Sequence, residues 1–287
     1  MTNPSPLRYP GGKIRFYPIA KDILQLNDLL HCTYIEPFAG GAGLALQLLF
    51  SGDVKQIVIN DYDPHIYAFW AAVLDHNAAL CALIEKTPVT MTQWNLQKAV
   101  YKTCDLSDVL NLGFATFFLN RTNVSGVLTA GVIGGKSQNG KYKLDARFCK
   151  EDLILKIKKI AEYKEQILLF NDDCFELFSR PEIRKLRKTF VFFDPPYVDK
   201  GAQLYKSSFK ESDHITLAEK ILKCNRNWIV TYDKSPLIAD LYNKCRIGTW
   251  DVTYATSTKR GISEYVIFKD NLRIPNAVTL IKKRRKK

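Results

Sequence analysis

The sequence holds no run near the roughly 18 to 20 uninterrupted apolar residues that a membrane span needs. Its opening residues, MTNPSPLRYPGGK, lack the apolar core of a secretion signal. Its seven cysteines are odd in number, scattered, and form no C-x-x-C pair, which argues against a disulfide framework and a structural zinc site. The four histidines, His31, His65, His76 and His214, stand apart, and no H-E-x-x-H, G-x-S-x-G or G-x-x-x-x-G-K-[ST] occurs. Metalloprotease, α/β-hydrolase and P-loop readings therefore have no support. These absences predict a cytoplasmic protein with reduced thiols, no membrane association and no metal.

Negative charge is also scarce. Against 42 Lys+Arg stand 29 Asp+Glu, a formal charge of +13 over 287 residues, and subtracting the six basic residues 282–287 still leaves +7. A distributed excess of this sign favours a polyanionic partner, nucleic acid above all. With 46% hydrophobic and 12% aromatic residues, the chain can bury a sizeable core.

Five short apolar runs, at 33–36, 56–60, 166–170, 189–193 and 228–232, are each followed by helix-compatible sequence. Their near-continuous apolarity predicts strands covered on both faces in a largely parallel α/β sheet, and 251–255 with 264–268 are candidates for a closing hairpin. Between 75 and 119 the period turns helical. A Gly-rich stretch follows in which Asn139-Gly140 is a hairpin signal among Lys136, Lys141, Lys143, Arg147 and Lys150. The expected division is a discontinuous domain of 1–75 and 165–275, a helical and hairpin insertion over 76–164, and a basic tail over 276–287. Neither heptads nor a symmetric interface pattern is visible, so a monomer is expected.

Three constellations carry chemistry. EPFAGGAG, residues 36–43, sits between a strand and a helix-like run, where glycines permit a tight turn and close approach of a ligand. Read from Gly41 and Gly43, the position of a dinucleotide fingerprint's third glycine is Leu46, which weakens a nicotinamide reading; a turn without ligand is the alternative. Asp61 lies 18 residues beyond Gly43, at the end of the next strand, where an acid accepts from ribose hydroxyls or else caps a helix. Asp194-Pro195-Pro196-Tyr197 follows the run FVFF, at the strand end where open α/β sheets bind ligands. Its prolines fix φ and offer carbonyl acceptors without competing amides, and Tyr197 offers a face for stacking a base. Acceptors on both N–H groups of an exocyclic amine would return its lone pair from the ring toward an electrophilic methyl. As a bare tetrapeptide, the same run is also a rigid turn.

Together with RYPGGK at 8–13, these motifs resemble, in content and order, the Dam-type (D12 class, α-order) DNA adenine-N6 methyltransferases, over most of the chain. The resemblance implies a Rossmann-like, S-adenosylmethionine-dependent sheet with a DNA-recognition insertion, acting on double-stranded DNA by base flipping. It implies S-adenosylmethionine contacts from Tyr9, Lys13, Asp61 and Asp194, with Lys13 meeting the donor's carboxylate. The loop holding Glu36, Phe38, Gly40, Gly41 and Gly43 would lie beneath its methionine part. Asp172, Asp173 and Cys174 fall where the family approaches the cofactor adenine, and S-adenosylhomocysteine would be the product. Asn120-Arg121 resembles the start of the family's DNA-contacting region, but the following VSGVLTAGVIGGKSQNG has its own pattern, so the target sequence does not transfer. Arg121 and Asn123 have base-reading chemistry, with phosphate or structural contacts as alternatives. The lysines at 136–150 are expected to grip phosphates, and Tyr205 and Phe209 to line the path of a flipped base or belong to the core. A cognate restriction endonuclease is a candidate partner. Cytosine-N4 methylation and a catalytically silent DNA-binding protein are the alternatives that remain open.

Overall fold

The computed structural model describes residues 2–198, 209–252 and 262–281. The strands are β1 (Thr33–Glu36), β2 (Gln56–Asn60), β3 (Ile167–Phe170), β4 (Thr189–Phe193), β5 (Asn227–Tyr232), β6 (Arg246–Val252), β7 (Ile262–Phe268) and β8 (Thr279–Leu280). They form one sheet in the order β3-β2-β1-β4-β5-β7-β6-β8. The first five are mutually parallel, while β7 enters antiparallel between β5 and β6. From β1 the chain moves outward through β2 and β3 on one side, then returns to lay β4 and β5 on the other. The carboxyl ends of β1 and β4 therefore flank the topological switch, where a crevice opens in sheets of this kind.

Alternate side chains of each strand face opposite layers. Tyr34, Ile57, Ile59, Phe190 and Phe192 join one cluster, while Ile35, Val58, Val191, Phe193 and Val230 join the other. The first layer contains α1 (Tyr17–Leu26), α2 (Gly43–Phe50), α3 (Pro64–Asp75), α4 (Asn77–Lys86), α5 (Met91–Thr103), α6 (Val109–Thr122) and α7 (Lys150–Ala161). The second contains α8 (Pro181–Arg184), α9 (Glu211–Leu222) and α10 (Pro236–Leu241).

Local chemistry starts these helices. Asp63 caps α3 by accepting the His65 N–H ahead of Pro64, Thr90 caps α5 and Asp108 caps α6. The acids Glu151 and Asp152 open α7, and Lys158 and Lys159 close it, matching the helix dipole. Helix α6 is buried along most of its length, and Gly113 lets it approach α3: a Cβ there would lie 2.5 Å from the Ala68 carbonyl oxygen. The helices of 76–164 thus share one core with the sheet.

The hairpin expected around Asn139-Gly140 is not formed. Residues 133–149 carry no strand, and the nearest pairing is a single bridge between Asn123 and Val132. The Gln138 amide takes the place of a ladder: its Nε2 donates to the Ile133 and Gly135 carbonyls, and its Oε1 accepts the Leu144 N–H. Gly134 and Gly135 both have positive φ, and few apolar side chains alternate on either arm, so a hairpin had nothing to bury. The β6–β7 pair supplies an antiparallel edge near the expected position, although β6 begins at Arg246; residues 253–255 lie outside the described residues. All seven cysteines are free thiols.

Candidate active site

A cavity of about 500 Å³ opens at the carboxyl ends of β1, β2 and β4, within the range of small-molecule sites. Glu36, Phe38, Gly41, Gly43, Asp61, Asp173, Asp194 and Pro196 line it, as do Tyr9 and Lys13 from the N-terminal segment. The topology therefore gathers residues from four separated motifs.

After β1 the loop is held by its neighbours. Gly40 (φ +46°) donates its N–H to Asp61 Oδ2 at 2.8 Å, and its carbonyl accepts from Trp70 Nε1 at 2.9 Å. Asp61 Oδ1 accepts the Asp63 N–H at 3.0 Å. Each Asp61 oxygen keeps a second lone pair for a ligand hydroxyl. Burial pushes this carboxyl up to about 7, against the pull of those two N–H donors. The close approach that the glycines permit is made by Tyr9: a Cβ on Gly40 would lie 2.5 Å from its ring, and one on Gly41 2.9 Å from its Cβ. Gly43 begins α2 beside Asn3.

Asp194 is the centre of a second cluster. Its Oδ1 accepts from the Thr231 hydroxyl at 2.6 Å, and its Oδ2 pairs with Lys13 Nζ at 2.8 Å. Lys13 also donates to the Gly11 carbonyl at 2.7 Å and to the Tyr197 hydroxyl at 2.8 Å; that hydroxyl in turn donates to Glu264. Burial would lower the Lys13 pKa, but the Asp194 and Glu264 carboxylates outweigh it and hold the amine protonated. Burial raises Asp194, Lys13 opposes that rise, and Glu264 adds to it. Glu36, which accepts from the Tyr34 hydroxyl at 2.9 Å, is pushed up to about 8, first by burial and also by Asp194. One ammonium thus serves a cavity wall of several carboxyls.

Some expectations change here. Lys13 lines the cavity and has acceptors on all three ammonium hydrogens, which makes it part of the Asp194 cluster. Tyr197 is nine-tenths buried, with its hydroxyl in that cluster, and is not presented as an open stacking face. Asn123, 1% exposed, donates to the Val127 and Leu128 carbonyls and accepts from Trp94 Nε1, which makes it an internal staple here, the structural alternative to base reading. Arg121 donates to the Arg147 and Pro6 carbonyls, and burial lowers its pKa to about 10. Lys150 caps α4 through the Glu85 and Thr87 carbonyls. Lys136, Lys141 and Lys143 are exposed.

Pro195 is buried beside the rim. Asp173 lies exposed at the cavity mouth and also accepts the Phe175 N–H, while Asp172 pairs with Arg180. Phe209 lines the cavity edge-on to Phe38, and Tyr205 lies outside the described residues. Sequence reasoning missed Thr231 and Glu264. Each is one polar residue in an otherwise strand-like run, and that local oddity was the signal available.

A doubly wound sheet with a glycine loop after β1, a ribose-type acid after β2 and DPPY after β4 defines a methyltransferase-type α/β enzyme. The family description D12 class N6 adenine-specific DNA methyltransferase matches residues 9–256, and the chain belongs to that family. Its reaction is methylation of adenine N6 in DNA. The chain is 22% identical over 238 residues to the type II methyltransferase M.MjaIII of Methanocaldococcus jannaschii, covering 77% of this chain and 80% of that protein. Among solved structures it is similar to the rRNA methyltransferase aviRa from Streptomyces viridochromogenes. That match has a TM-score of 0.38 and 14% identity, and covers 91% of this chain and 86% of the other.

Proposed function

We propose that the cavity binds S-adenosylmethionine together with an adenine flipped out of duplex DNA, and that Asp194 directs methyl transfer to N6. The observation that carries this reading is the placement of Asp194 on the cavity wall at the switch point, tethered by Lys13 and Thr231 with one lone pair left on each oxygen. When bound, S-adenosylmethionine supplies an electrophilic methyl on a positively charged sulfur. The lining suits that group: Asp194, held anionic by Lys13, faces the space, Glu36 adds a polar carboxyl to the wall, Asp61 keeps acceptors for ribose hydroxyls, and Phe38 and Cys174 offer apolar contact for an aromatic ring.

Asp194 accepts an N6 hydrogen, withdraws the nitrogen lone pair from ring conjugation, and takes the proton released as N6 gains the methyl; the methyl–sulfur bonding pair would stay on sulfur, leaving neutral S-adenosylhomocysteine. Lys13 keeps the carboxylate anionic despite its burial, while Thr231 fixes its orientation. Pro196 bounds the rim on which the base rests. Reaching that rim requires the adenine to leave the helix stack. Lys136, Lys141 and Lys143, on the Gln138-stapled loop of the 76–164 insertion, grip phosphates; the insertion is the target-recognition unit. We further read the enzyme as a cytoplasmic monomer, and the type II designation of the archaeal relative supports a cognate endonuclease as partner.

The test is incubation with unmethylated duplex DNA and methyl-labelled S-adenosylmethionine, followed by nucleoside mass analysis. Labelled N6-methyladenine is expected from the wild-type chain and none from Asp194→Ala. Labelled N4-methylcytosine would replace the substrate, and retained transfer by the variant would remove Asp194 from its role.

A further inference from the structure

The N-terminal segment 5–13 contains no helix or strand, so its backbone polar groups need partners elsewhere. At Arg8 both find them on one side chain. Asn120 Oδ1 accepts the Arg8 N–H at 2.8 Å, and Asn120 Nδ2 donates to the Arg8 carbonyl at 2.9 Å. The other Nδ2 hydrogen goes to the Gly126 carbonyl at 2.8 Å. An amide on the last turn of α6 thereby clips the segment as a neighbouring strand would. Gly126 completes the fit, because at φ +76° its missing Cβ would collide with the Arg8 carbonyl. Asn120 is 1% exposed; it borders the cavity, but both of its amide atoms are committed to the Arg8 and Gly126 backbone.

Five residues after the clip stands Lys13. Between them the chain turns once, through the Gly12 N–H to the Tyr9 carbonyl at 3.1 Å, and then delivers the ammonium to Asp194. The clip is therefore the backbone anchor nearest the cation that Asp194 depends on, beside the Arg8 guanidinium on the Asn123 carbonyl and Arg121 on the Pro6 carbonyl. We propose that Asn120 is a positioning residue for methyl transfer, which holds segment 8–13 so that Lys13 stays on Asp194, and that it does not contact DNA. This inference rests on the role proposed for Asp194.

The groups around Asp194 give the readout. It faces Lys13 from the N-terminal segment, Glu36 from the end of β1, Thr231 from β5 and Glu264 from β7, with Tyr197 bridging Lys13 and Glu264. If Lys13 moves away, the charged neighbours that remain among the described residues are carboxylates. Asp194 then takes up its proton at higher pH, and the acidic limb of the kcat profile moves upward.

Asn120→Ala and the near-isosteric Asn120→Asp, made in the full chain, are compared with wild type for kcat, its pH profile, thermal unfolding, and affinities for DNA and S-adenosylhomocysteine. The expected result for a folded variant is a kcat lower by about 100-fold, the cost of a misplacement near 1 Å. The acidic limb should rise, with both affinities and the methylated sequence little changed. Wild-type kcat with an unmoved limb would overturn the proposal, as would a loss confined to DNA affinity or a changed target sequence. Failure of both variants to fold would also overturn it, making Asn120 a purely structural clamp. Asp194→Ala, run in parallel, separates the two readings: activity in that variant defeats the role of Asp194 itself. An inactive Asp194→Ala beside normal Asn120 variants defeats only the inference about Asn120.

Discussion

Replacing Thr231 by Val removes one hydroxyl and keeps the branched shape. That hydroxyl is fully buried on β5 and donates to Asp194 Oδ1 at 2.6 Å, while Lys13 holds the other oxygen. A hydrogen bond to a charged group contributes about 1.5 to 3 kcal/mol, and each 1.4 kcal/mol is tenfold in rate. If the bond orients Asp194 toward the amine, kcat should fall by about 10- to 150-fold. The same donor stabilises the anion, so its loss raises an Asp194 pKa that burial has already raised. Activity needs the carboxylate, is present above that pKa, and disappears as pH falls through it. The acidic limb should therefore move to higher pH. Single-turnover methylation across a pH series, with DNA and S-adenosylhomocysteine affinities measured in parallel, reads both effects. An unchanged rate and limb in a folded Thr231→Val protein would refute the claim that Thr231 sets the orientation and charge of Asp194.

Lys13→Met leaves the Asp194 and Glu264 carboxyls in the cluster without their cation, which should cost about 3 to 5 kcal/mol in urea unfolding at pH 8. The deficit should shrink toward pH 5, as the stranded Asp194 carboxyl, already raised by burial, takes up a proton. Gly113→Ala drives a methyl against the Ala68 carbonyl and the Ala72 Cβ. About 1 to 3 kcal/mol of overpacking exceeds the gain in helix propensity, so thermal stability should fall with DNA affinity per folded molecule unchanged. Replacing Lys136, Lys141 and Lys143 together by Ala should flatten the log–log salt dependence of DNA binding by up to about 2.7 without altering the methylated sequence. Because the Asp61 carboxyl is pushed up to about 7, acceptor capacity for ribose hydroxyls is lost as pH falls through that value. Calorimetric affinity for S-adenosylhomocysteine should therefore decline between pH 8 and pH 6 in wild type, and decline less in Asp61→Asn, which starts weaker.

What sequence could show of this site depended on whether the physical cause was local. Residues 33–36, 56–60 and 189–193 declare themselves as strands because burial on both faces demands an unbroken apolar run, and β1, β2 and β4 occupy those bounds. EPFAGGAG, Asp61 and DPPY are legible for a related reason: each is a short segment whose backbone has one task at a strand end. Their convergence followed from strand order, which places β1 beside β4. Partnerships across the sheet leave no such trace. Thr231 lies 37 residues beyond Asp194, and Glu264 lies 67 beyond Tyr197; they meet because β5 pairs with β4 and β7 with β5. The hairpin that did not form, and the internal partners that sequence does not reveal, have the same origin. Asn139-Gly140 carries a turn preference, yet a hairpin also needs arms with something to bury, and Gln138 satisfied the backbone first. Asn123, Arg121 and Lys150 have the chemistry to meet DNA, but backbone carbonyls nearby compete for the same donors. A polar side chain in this chain therefore reads as a ligand contact only after the backbone groups around it have been accounted for. By that standard Asp194 and Asp61 stay candidates, since both line the cavity and, among the described residues, each of their carboxyl oxygens has one internal partner.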